Sequence, residues 1–233
     1  MWAKMPYIKR IVCLANSYKT GGTCVAGKEV LANGYGGWIR PVSARATAEV
    51  WPSESRYENY ASPKLLDIID VPLLNPAPLH HQTENHVIDT TQRWIKVGEL
   101  PWNMVAELSD QPATLWINSD RSNTGAFNCI SPAEAATQQD SLALIRPDNF
   151  VVEVGSSTWN GRTKKTYRGN FNYNGVYHSL SLTDPVARNA FAAKVEGNYP
   201  LRDAYLCVSL TEVYAEDGRC HKLVAAIMTN PPL

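Results

Sequence analysis

The sequence predicts a mainly β fold with a few short helices, an α+β chain in two halves. Three observations carry this. Short runs rich in β-branched and apolar residues recur along the chain, and Gly, Asn and Pro punctuate them at the intervals of small barrels or sandwiches. One Asn-Gly pair sits between two strand-like runs. No alternating strand–helix period is present, which disfavours a doubly wound sheet.

The runs come in order. Tyr7 to Ala15 holds Ile8, Ile11, Val12 and Leu14, and Leu65 to Leu74 holds Ile68, Ile69 and Val71. Leu142 to Ile145, Phe150 to Val154, Tyr205 to Leu210 and Lys222 to Met228 are short apolar runs. Tyr167 to Tyr173, Asn174-Gly175 and Val176 to Leu182 read as a hairpin, because a two-residue turn needs positive φ at both central residues and Asn-Gly adopts it most readily. Ser131-Pro132-Ala133-Glu134 is a capping box with Pro at the first helical position. Asp184-Pro185 opens a second helix, with Asp184 as its N-cap, and Trp102 to Leu108 is expected to be a third. The least structured stretches are 49–63 and 118–128. A domain boundary is expected near the second, giving halves of 1–145 and 146–233.

The chain has 233 residues, 44% hydrophobic and 19% charged, enough for a real core and unlike a disordered chain. Lys plus Arg and Asp plus Glu are both 22, which excludes a polycation but not a local basic surface. The first half holds 12 basic and 14 acidic residues, the second 10 and 8. Four of those ten lie within Arg162 to Arg168. No apolar run approaches the roughly 18 residues of a membrane span, and the N-terminus shows no signal-peptide pattern, so no membrane partner is expected. Five widely spaced cysteines without a CxxC pair fit a reducing cytoplasm. No internal repeat is visible in the sequence.

Four clusters could carry chemistry. Gln82-Thr83-Glu84-Asn85-His86 is the densest. In an extended segment Gln82, Glu84 and His86 share one face; a carboxylate can orient water, and His can move protons. The alternative is a solvated loop. His80 and His81 are adjacent and make a poor metal pair, so no metal or other cofactor is expected. Asn16-Ser17-Tyr18-Lys19 ends the first strand before Gly21-Gly22, a Gly turn whose backbone amides could hold an anion; a polar hairpin turn is the other reading. Cys24 beyond it reads as a small buried residue. In Gly36-Gly37-Trp38-Ile39-Arg40-Pro41 the glycines allow close backbone approach to a ligand or a sharp barrel corner, and Arg40 between apolar neighbours needs a carboxylate or phosphate. Arg162, Lys164, Lys165 and Arg168 interleave with Trp159, Tyr167, Phe171, Tyr173 and Tyr177, as a surface tracking phosphates and stacking bases would; a solvated edge over an aromatic core is the other reading.

The strings CLANS (13–17), GGWIRPVS (36–43), LDIIDVPLL (within 65–74), QTENHVID (82–89), TDP (183–185), AYLCVSL (204–210) and KLVAAI (222–227) resemble bacterial proteins described as dual OB domain-containing. The resemblance covers nearly the whole chain. It implies two tandem OB-like β-barrels and a role in prokaryotic conflict with phages and other mobile DNA, and it supplies no catalytic motif.

OB folds bind oligonucleotides and oligosaccharides. The leading expectation is an enzyme on nucleic acid, a base-excising DNA glycosylase-type hydrolase acting on modified phage DNA. Glu84 would activate water or stabilise the sugar cation, with His86 and Asn85 assisting. Gln82, Asn16 and Ser17 would read base or sugar. Lys19, Arg40, Arg162, Lys164, Lys165 and Arg168 would hold phosphates. The partner is DNA, with RNA left open. The alternatives are a non-catalytic sensor of single-stranded or modified nucleic acid that feeds a partner effector, and a small nucleotide- or sugar-binding module.

Overall fold

A computed structural model describes residues 6–19 and 21–233; the Trp159 side chain also lies outside the described residues. The protein is mainly β with a few short helices, as the sequence predicts, and forms two units. The division differs from the expected one. Residues 1–108 and 139–141 form the first unit, and 109–138 and 142–233 the second. The stretch 109–138 belongs with the second unit because two short strands around the capped helix join its sheet.

The first unit contains β1 (Tyr7–Lys19), β2 (Gly22–Leu31), β3 (Gly34–Val42), α1 (Pro52–Ser55), β4 (Asp67–Pro76), β5 (Asn85–Ile88) and β6 (Ile95–Glu99). Trp102–Leu108 follows as a 3-10 helix where an α-helix was expected. The strand order is β1-β2-β3-β5-β4, and β4 pairs back to β1, so five strands close into a barrel, with β6 on the edge of β4. All its pairs are antiparallel except β3–β5. This is a five-stranded Greek-key barrel of the OB kind.

Closure depends on β1, which pairs with β4 through Tyr7–Val12 and with β2 through Ile11–Lys19. A bulge between Cys13 and Ala15 lets one strand serve both. At Gly27 an added Cβ would stand 2.1 Å from the Val12 carbonyl oxygen. At Gly36 a Cβ would stand 3.3 Å from side-chain atoms of Glu29 and Leu31, and at Gly37 it would meet nothing within 4 Å. Ile11, Cys13, Val25, Ile39, Ile69, Val71, Leu73, Ile88 and Trp94 fill the barrel. The burial of Cys13 pushes its thiol far up. All five cysteines are free.

The second unit contains β7 (Cys129–Ile130), α2 (Pro132–Ala135), β8 (Leu142–Ile145), β9 (Asp148–Trp159), β10 (Arg162–Tyr173), β11 (Val176–Leu182), α3 (Pro185–Ala190), β12 (Gly197–Pro200), β13 (Tyr205–Val213) and β14 (Cys220–Met228). Its order is β12-β9-β10-β11-β14-β13-β8, with β7 on β14 and a parallel β11–β14 pair. The run β9-β10-β11-β14-β13 repeats the order β1-β2-β3-β5-β4 of the first unit, including the parallel pair. This is an internal repeat of topology that the sequence hides.

Here β12 and β8 flank the two ends of the run instead of a direct closing pair. Asn174 and Gly175 have φ of 48° and 78°, as the hairpin requires, and Asn160-Gly161 makes a second such turn at 48° and 74°. Phe150, Val152, Val154, Phe171, Leu180, Leu206, Val208 and Val224 form the core, with Ala187 and Phe191 brought in by α3. Ser131 accepts from the Glu134 amide and Asp184 from those of Val186 and Ala187, so both predicted caps are in place. No helix of the described residues is long and apolar enough to cross a membrane.

Candidate nucleic-acid interface

The polar cluster at 82–86 is placed by the turn that joins β4 to β5. Leu79 and Gln82 exchange backbone hydrogen bonds across a tight turn, and the strand begins only at Asn85. The expected period-two face therefore does not form. Parallel pairing sets Arg40 of β3 opposite Asn85, and the Arg40 amide donates to the Glu84 carbonyl at 2.8 Å. Ile39 points into the barrel, so Arg40 emerges on the opposite face, where Glu84 meets it.

Arg40 Nη2 lies 3.1 Å from Glu84 Oε1, with side chains only 4% and 5% exposed. Ser141 Oγ accepts from Arg40 Nη2 at 2.8 Å and donates a short hydrogen bond to Glu84 Oε1. Thr83 Oγ1 donates to the Gln139 carbonyl at 2.6 Å, which seats the 139–141 stretch beside the ion pair. Asn85 donates to Gln82 Oε1 at 3.3 Å. Glu84 Oε2 and Asn85 Oδ1 are buried acceptors with no hydrogen-bond donor. The sequence gives no local sign that Ser141 completes this network.

The other expected members go elsewhere. His86 Nδ1 lies 2.6 Å from the Tyr7 hydroxyl, and burial, then nearby Lys9, lowers the pKa of the ring. Asn16 donates to the Pro63 carbonyl at 2.8 Å. Asn16, Ser17 and Lys19 lie at the end of β1, the first strand, as expected, Ser17 being buried and Lys19 opposite Gly22. The structure thus brings Arg40 and Glu84 together, with Gln82 and Asn85 beside them, and separates His86 and Asn16 by giving each its own partner. His81 is buried while His80 is exposed, and among the described residues no group of three or more His, Cys, Asp or Glu is placed to hold a metal.

The basic hairpin divides in two. Lys165 Nζ donates to the carbonyls of Ala192 and Lys194 at 2.8 and 2.7 Å, capping the chain that leaves α3. Arg168 donates to the hydroxyl of Ser179 at 2.9 Å and, through a short bond, to its carbonyl. Its burial lowers its pKa, Glu153 countering this. Lys165 and Arg168 are therefore fold residues, which corrects their assignment to phosphates. Phe171 and Tyr173 are core, so they do not interleave with the charges at the surface. Arg162 and Lys164 remain exposed near the Asn160-Gly161 tip. Two residues apart on β10, they share one face, while Thr163 between them meets the Thr158 hydroxyl at 2.9 Å on the other face.

A family model described as the dual OB-containing domain matches residues 9–227. No curated protein matches the chain. A solved structure described as "Molecular basis for abrogation of activation of pro-inflammatory cytokines" aligns with 98% of this chain and 95% of its own at 11% identity and a TM-score of 0.32.

Proposed function

The chain belongs to the dual OB-containing domain family, and from that premise we propose that it is a nucleic-acid-binding protein that contacts its ligand through the tip of the β9–β10 hairpin. In an OB fold the ligand lies on the strand 2–3 face and the adjoining loops. By strand order β10 and β11 are those strands in the second unit, and the Asn160-Gly161 turn is the loop between its first and second. The observation that carries the reading is the pair Arg162 and Lys164, exposed on one face of β10 where it leaves that loop.

Arg162→Ala with Lys164→Ala tests it. On duplex DNA the log–log salt slope should flatten by up to about 0.9 per lost phosphate contact. An unchanged slope returns the tip to a solvated edge.

A second reading is a base-excising hydrolase on modified phage DNA with Glu84 as its carboxylate. What favours it is Glu84 Oε2 and Asn85 Oδ1, buried acceptors on successive residues that lack donors, either of which the exocyclic amino group of an extruded base would satisfy. Incubation with plain and phage-modified DNA, followed by alkali, reveals abasic sites if the reaction occurs. Binding without strand scission supports the sensor instead.

A further inference from the structure

The stretch 49–63 reads as unstructured in the sequence, yet it holds two of the most exposed aromatic side chains of the first unit: Tyr60 at 70% and Trp51 at 45%. Neither position is loose. The Trp51 amide donates to Glu54 Oε2 at 2.8 Å, and the Arg45 guanidinium stacks 3.9 Å from the indole centre. Arg45 is itself fixed by Glu49 and Glu54. One face of the indole is thus backed by a cation while nearly half the residue stays open to water.

Tyr60 has a φ of 63°. A bulky side chain in the left-handed region is strained, and Gly or Asn fits there far better. At a ring 70% exposed, burial offsets little of that strain. Strain held at an exposed aromatic is the pattern of a ligand contact. Arg93 links the two parts of the surface, donating to the Ser53 carbonyl in α1 at 3.3 Å and lying 5.7 Å from the Tyr60 ring centre. Arg56 is exposed in the same segment. Among the described contacts neither Arg56 nor Arg93 is paired with a carboxylate.

We propose that the β3–β4 connection is a second contact surface, binding a single-stranded nucleic acid by stacking bases on Tyr60 and Trp51 while Arg93 and Arg56 hold its phosphates. Open aromatic faces need unstacked bases, which a duplex does not offer, and cations between them match the backbone of a strand. An acidic peptide would use the arginines and leave the rings idle. This surface is distinct from the hairpin tip, and it rests on the nucleic-acid reading above.

The test is fluorescence anisotropy of the full chain with a labelled run of about a dozen thymidines, a site size typical of OB folds. Tyr60→Asn and Trp51→Ala should each weaken binding by about five- to a hundred-fold, with the salt slope unchanged. Arg93→Ala should instead flatten the slope by about 0.7. Tyr60→Asn keeps or raises the melting temperature, since Asn accepts the left-handed backbone, so its loss of affinity cannot come from unfolding even if Trp51→Ala destabilises the unit.

If the wild type binds and both aromatic variants bind as well as it does, the inference is overturned while the hairpin reading stands. If the variants lose heparin, a polyanion without bases, as much as they lose thymidines, the surface is a charge contact and stacking is refuted. If the wild type binds neither single strand nor duplex, the nucleic-acid reading fails and this inference falls with it.

Discussion

Neutralising Glu84 should destabilise the first unit strongly, whatever it does to activity. The two charges stand 3.1 Å apart with almost no solvent around them. At an effective dielectric of about 20 their gross attraction is about 5 kcal/mol, offset by the cost of taking both from water. Glu84→Gln keeps the side-chain volume and an acceptor for Ser141, but leaves the Arg40 guanidinium buried beside a neutral amide. Breaking such a pair from one side typically costs about 3–5 kcal/mol, whereas replacing both partners with apolar residues of similar size is often neutral.

Urea unfolding of Glu84→Gln, Arg40→Met and the double variant Arg40→Met/Glu84→Leu reads this directly. The singles should lose about 3 kcal/mol or more, and the double should recover most of it. A loss below about 0.5 kcal/mol in Glu84→Gln would refute the buried-pair account. If that variant stays fully stable and binds DNA but releases no base, Glu84 is a reacting group rather than a structural one.

Three further outcomes follow from the second unit. His178 is 1% exposed, stacked 5.4 Å from Phe171, and has neither ring nitrogen hydrogen-bonded. Burial, then nearby Lys222, lowers its pKa from 6.5 to about 4, and the Phe127 carbonyl counters this only in part, without a hydrogen bond of proper geometry. The unfolded chain therefore binds the proton first as pH falls below about 6.5, and up to about 3 kcal/mol is lost by pH 4; His178→Phe should flatten that slope in pH-dependent urea unfolding. Lys222, fully buried and donating to Ile117 O and Asn118 Oδ1, is lowered by burial to about 8, so stability should rise as pH goes from 8 to 10.5, and Lys222→Met should abolish the rise. Asp184 caps α3 and also accepts from the Ile227 amide at 2.9 Å; Asp184→Ala should cost about 2–4 kcal/mol in calorimetry, the lost cap adding to an orphaned buried N–H.

Much of the fold is legible in the sequence because its signals are local. The Asn174-Gly175 turn, the Ser131 and Asp184 caps and the β8 run each depend on a few adjacent residues, and each lies where it is expected. Strands β2 and β3 escape because glycines dilute their apolar pattern, and β5 because its four residues are polar at one end. The boundary is misplaced for a different reason. Whether 109–138 packs forward or backward is decided by β7 and β8 pairing with β14 and β13, which no local pattern announces. The repeated strand order is invisible for the same reason: it is a property of pairing, and quite different side chains fill the two cores.

The site is harder to read, since chemical type does not tell which groups face water. Arg40 between apolar neighbours does signal a partner, and the partner proves to be Glu84 from the other predicted cluster. That meeting comes from the parallel β3–β5 pair, which brings the start of β5 to Arg40. Ser141, from 57 residues further along, completes the network. The hairpin shows the converse. Four cations within seven residues look alike in sequence, but their register separates them: Lys165 is taken by carbonyls after α3 and Arg168 by β11, while Arg162 and Lys164 lie beyond those partners at the tip. The charges left for a ligand are those the fold does not use.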